Sequence, residues 1–151
     1  MKIPLLRNFP RLGRPPSRQV VAGAGPLAAG ATAALQHLLA ELPDLLLAAV
    51  LEVATGQALA TYGVEREYQP SLLAAPAAAA VRQLQASQAA LGPAAEELKE
   101  VVLTLASQLH LLRLRPGGQQ FLYLVVETRD TNLAIARELM RQAIELLDNQ
   151  L

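Results

Sequence analysis

The chain contains no cysteine. That excludes a disulfide scaffold, a thiol nucleophile and a thiolate metal site together. Tryptophan is absent and aromatic residues amount to only 3%, so a core has to be built from Leu, Val and Ala. The two histidines, His37 and His110, stand apart from one another. His37 with Glu41 four residues on reads as a surface pair on a helix, because a metal site needs further ligands. Serines and threonines occur without a nucleophile elbow or a flanking base. The glycines of 23–30 lack a preceding apolar strand and the spacing of a dinucleotide fingerprint, and Pro26 interrupts them. The expectation is therefore a protein that is not an enzyme, with no catalytic residue, no cofactor and no metal. No stretch reaches the ~20 apolar residues that span a bilayer. Arginines and prolines break every candidate signal core up to Gln19, so a cytoplasmic location is expected.

What is present is apolar mass. Hydrophobic residues make up 52% of 151 residues, enough for one domain with a real core and too many for wholesale disorder. The net charge of zero hides an asymmetry. Of the 13 basic residues, Lys2, Arg7, Arg11, Arg14 and Arg18 precede residue 31 with no acid among them. The remaining eight face all 13 acids. Residues 1–29 thus read as a basic, Pro/Gly-rich arm, and residues 30–151 as the domain. Arg7, Arg11, Arg14 and Arg18 are candidate contacts of the arm to membrane or nucleic acid. Pro10 opposes a helix there, and Phe9 is the arm's only aromatic residue, which makes such a tether the weaker reading.

In the domain, Leu35, Leu38, Leu39 and Leu42 recur at helical spacing, predicting a helix over 30–42 capped by Thr32 and stopped by Pro43. Residues 45–63 hold two apolar runs around Thr55-Gly56-Gln57, a hairpin. A second helix is expected over 73–91, with Pro76 in its first turn and Gly92-Pro93 ending it. Strands follow over 98–107 and 109–115, the latter with a wet face at Arg113 and Arg115. A third strand, 121–127, is apolar on both sides, with Phe121, Tyr123 and Val125 on one and Leu122, Leu124 and Val126 on the other. The last helix, 131–148, carries Leu133, Ala136, Met140, Ala143, Ile144 and Leu147 on one stripe, an Arg141–Glu145 pair on the other, and Asp130 or Thr131 as its cap. The fold class is α+β: a five-stranded antiparallel sheet with helices on both faces.

The second helix is unusual. Its long run of alanines and single charge, Arg82, leave it smooth and under-charged for a surface element. Small residues allow close approach, either to its own sheet or to a second copy.

The hairpin VLEVATGQALATYG, the Ala-rich helix and the strand–turn–helix ETRDTNLAIAR resemble, in that order, the Roadblock/dynein-light-chain family, including its bacterial GTPase-regulating members. The resemblance covers about residues 31–149; the basic arm lies outside the family pattern. It implies a profilin-like sandwich fold and a homodimer that regulates or scaffolds a Ras-like small GTPase. It also implies an interface made by the second helix and the strand after it, here Ala77, Val81, Leu84, Gln85, Gln88, Val101 and Leu103. A profilin-like sensory or ligand-binding module is the alternative.

Overall fold

The computed structural model describes residues 19–64, 66–129 and 131–149. Among them the elements are β1 (Val21–Ala22), α1 (Ala28–Glu41), β2 (Leu45–Glu52), β3 (Ala58–Gly63), α2 (Pro70–Ala89), β4 (Glu100–Thr104), β5 (Gln108–Leu114), β6 (Gln120–Glu127) and α3 (Leu133–Asn149), with single 3-10 turns at Arg66–Tyr68 and Gly92–Ala94. The strands form one antiparallel sheet in the order β1-β3-β2-β6-β5-β4.

The fold is therefore α+β as expected, with one strand more. β1 pairs Val21 with Thr61 and Ala22 with Ala60 on the outer edge of β3. Gly23 continues the approach by donating its N–H to the Leu59 carbonyl at 2.8 Å. A Cβ on Gly23 would collide with the Ala58 carbonyl oxygen, so glycine is what permits the approach.

Each sheet face has its own core. On one, α1 and α3 bury Leu35, Leu38, Met140 and Leu147 against Val50, Leu122, Leu124 and Val126. On the other, Ala78 and Val81 of α2 cover Leu47, Ala49, Phe121 and Val125. The two-sided strand β6 lies between them, flanked by β2 and β5. Alternation places its odd residues under α2 and its even residues under α1 and α3, as its apolar pattern predicts.

Several local expectations are corrected. Thr32 is inside α1, not at its start: its hydroxyl donates back to the Ala28 carbonyl at 2.8 Å, the local bond that competes with capping. The helix begins at Ala28, after a turn in which Gly25 has φ +104°. Pro70, not Pro76, occupies the first turn of α2, and Pro76 lies in the helix interior, where its ring forfeits one backbone bond. Asn132 caps α3, accepting the Ile135 N–H at 2.9 Å; Thr131 is buried just before it, and Asp130 lies outside the described residues. The wet face of β5 is only partly so. Leu109 and Leu111, on the same side as Arg113, are buried in the α1/α3 core. Arg113 pairs with Glu100 at 3.2 Å and Arg115 with Asp148 of α3 at 2.6 Å.

Candidate functional site

The helix α2 runs over β2 and β3, and the hairpin tip at Gly56 rests on its alanines, where a Cβ would stand 3.4 Å from the Ala75 Cα. Part of the alanine stripe is thus used within the chain. The other flank of α2 is open. Between it and the strands β4 and β5 runs a groove of about 250 Å³. Ala77, Val81 and Leu84 form one wall, and Val101 and Leu103 of β4 the other. Five of the seven expected interface residues therefore line one apolar feature.

The remaining two do not. Gln85 donates to the Gly118 carbonyl at 3.0 Å and so holds the β5–β6 turn to α2. Gln88 borders a separate polar depression with Glu96, Glu97 and Glu100. Sequence reasoning missed Leu73, Pro76, Ala80, Leu112 and Tyr123, which complete the groove. A signal existed for the helical ones: Leu73, Ala77, Ala80 and Leu84 follow a 4-3-4 spacing, the seam of a packed helix. Leu112 and Tyr123 are cross-strand partners, and their place becomes visible only once the register is known.

Apolar side chains stay in water here. Leu84 is 40% exposed, Leu103 49% and Leu105 51%. Among the described residues the strand β4 has β5 as its neighbour on one side and ends the sheet on the other. Such an edge is a template for pairing unless something covers it.

One polar chain is set into this face. His110 makes hydrogen bonds through Nδ1 to the Tyr123 hydroxyl at 2.7 Å and through Nε2 to Gln108 Oε1 at 3.0 Å. Gln108 Nε2 in turn donates to the Tyr68 hydroxyl. Burial lowers the pKa of His110 and pushes that of Tyr123 up to about 12. Both shifts favour the neutral forms.

His37 bonds Gln142 Oε1 at 2.7 Å, joining α1 to α3, so its partner is Gln142 and not Glu41. Among the described residues no group of three or more His, Asp or Glu is placed to hold a metal ion. None of their helices is long and apolar enough to cross a membrane. Arg7, Arg11, Arg14 and Arg18 lie outside the described residues.

At the level of sequence, no family model and no curated protein matches the chain. Solved structures do. The gliding protein MglB of Thermus thermophilus superposes with a TM-score of 0.67 at 20% identity, over 86% of this chain and 94% of that one. A Roadblock/LC7 domain from Streptomyces avermitilis gives 0.64 at 18% identity, over 76% and 91%. The MglB of Myxococcus xanthus gives 0.65 at 15% identity, over 82% and 92%. The fold is that of a Roadblock domain. Identities this low carry the Roadblock architecture and leave the partner to be argued from the surface.

Proposed function

We propose that this Roadblock-type chain is a non-catalytic homodimer that regulates or scaffolds a Ras-like small GTPase in the cytoplasm. The observation that carries the dimer is the groove between α2 and β4, apolar along its length and beside an uncovered strand edge. Two copies related by a dyad would pair β4 with β4 and bury Leu84 and Leu103 against each other. The GTPase comes from the resemblance of the 121–147 segment and its neighbours to the Roadblock family. In this reading the domain, which takes in β1 and the start of α1 before residue 30, forms the dimer, and the basic stretch ahead of it is an appended arm.

A ligand-binding module of profilin type would need several polar groups converging in a cavity. The groove has Tyr123 alone among its lining side chains, so the dimer is the better account. An arm that tethers to membrane or nucleic acid is separable: deleting residues 1–18, which carry all its basic side chains, would abolish that binding and leave β1 in the sheet.

Light scattering on the wild type and on Leu84→Glu tests the dimer. The expected result is a wild-type mass near twice 16.1 kDa and a folded monomeric variant. A wild type that stays monomeric at every concentration overturns the interface. Capture from native lysate with the intact dimer then tests the partner: failure to recover a GTPase sinks that half and leaves the dimer standing.

A further inference from the structure

Tyr123 lines the apolar groove and ends a polar chain whose protonation alters its chemistry. His110 lies opposite Leu103 on β4 and Val125 on β6. Gln108 Oε1 can only accept, so Nε2 of the ring carries the hydrogen and donates to it at 3.0 Å. Nδ1 is then left to accept from the Tyr123 hydroxyl at 2.7 Å. The neutral ring is satisfied at both nitrogens. Protonation puts a second hydrogen on Nδ1, facing a hydroxyl that is already donating towards it. Tyr123 must turn its hydrogen away, at the floor of the groove.

We propose that His110 makes dimerisation through this groove pH-dependent, the neutral imidazole permitting the dimer and the imidazolium opposing it. This rests on the dimer reading above.

The surroundings supply little to hold a charge on the ring. Its cross-strand partner on β4 is the apolar Leu103, and Tyr123, to which it bonds, lines the apolar groove against α2. Arg82, the single charge of α2, is turned to the hairpin and donates to the Val53 carbonyl at 2.7 Å. Arg113 of the same strand is on the opposite sheet face, bonded to Glu100. Around the chain's outer end stand Tyr68, the exposed Glu67 and the exposed Glu127, which is paired in register with Gln108. The carboxylates are solvated and lie at the rim. Tyr123, pushed up to about 12, does not titrate near neutrality.

A second copy seated over Leu103 takes further water from His110. The dimer then binds protons less tightly than two monomers do, so acid favours the monomers. Each protomer contributes one such group, which makes the dependence steep.

The test is the dimer dissociation constant from about pH 7.5 to about pH 5.5, for the wild type and for His110→Gln, with folding followed by circular dichroism. The wild-type constant is expected to rise about tenfold or more across that window, and that of His110→Gln to stay level. Should His110→Gln fail to fold, His110→Phe replaces it with a ring that cannot titrate. A second readout needs no change at His110. In a His37→Gln background the remaining imidazole signal in the NMR spectrum is that of His110. It is expected to titrate at lower pH in the dimer than in the Leu84→Glu monomer. A dimer indifferent to pH, a dependence that survives loss of the imidazole, or equal titration in both states overturns the proposal alone. A wild type monomeric throughout overturns the dimer reading and the proposal with it.

Discussion

Gly56 at the tip of the β2–β3 hairpin rests on Ala78 of α2: a methyl group on Gly56 would stand in ordinary contact, 3.5 Å from the Ala78 Cβ. The glycine also has φ +72°. The left-handed turn is therefore what calls for glycine, and the helix leaves room for a methyl group. Gly56→Ala should cost about 1–2 kcal/mol from the left-handed backbone, read as a shift in the urea midpoint. Ala78→Leu should cost about 1–3 kcal/mol by overpacking. A level midpoint in both variants would mean that the hairpin does not rest on α2.

This contact also explains why the alanine-rich helix is only half legible in the sequence. Its smoothness signals close approach but does not say to what. The structure divides the stripe: Ala78 serves the hairpin and Ala77 and Ala80 the groove. Where a period runs long the sequence is readable, as in the Leu35–Leu42 stripe, the two-sided strand β6 and the α3 stripe from Leu133 to Leu147. The edge strand β1 escapes because two residues cannot display a period. The start of α2 is ambiguous because Pro70 and Pro76 both suit a first helical turn and alanines give no phase between them. At the site, Ala77, Val81, Leu84, Val101 and Leu103 are expected from the family resemblance, and they line one groove. The polarity of Gln85 suggests a place on the interface border, yet its amide is used by the Gly118 carbonyl.

Tyr123 provides an alkaline test of the same face. Burial pushes its pKa from 10.0 up to about 12, so the folded state favours the neutral phenol. The sign follows: the unfolded chain ionises this group first as pH rises. Its contribution to stability is whole below pH 10.0 and declines between 10.0 and about 12. Other groups titrate in that range, so the informative quantity is the difference from Tyr123→Phe. The wild type should lose stability more steeply than the variant over this window, measured as denaturant midpoints. Parallel declines would place the hydroxyl in water.

Arg115 and Arg141 separate a consequential ion pair from an ornamental one. Arg115 donates through Nε to Asp148 at 2.6 Å and through its guanidinium to Gln120 Oε1 at 3.3 Å. Its side chain is 16% exposed. Asp148 sits in the last turn of α3, where the helix dipole opposes a carboxylate, and Arg115 offsets that charge while tying β5 to the helix. Arg115→Ala should lower stability by about 1–2 kcal/mol, the range for a hydrogen bond to a charged group less some solvent screening. Arg141 binds Glu138 at 2.7 Å and Glu145 at 2.6 Å on the outer face of α3. Its hydrogen bond to Glu138, with a further one from Gln142, holds that carboxyl at about 2. A depressed carboxyl contributes above its ordinary value and loses that contribution as pH falls towards about 2. The cluster is open to water, so Arg141→Ala should leave the urea midpoint unchanged in high salt. If Arg141→Ala proved the more damaging of the two, the outer face of α3 would be packed against something in solution, and the polar side of this helix would have to be counted as a surface in use.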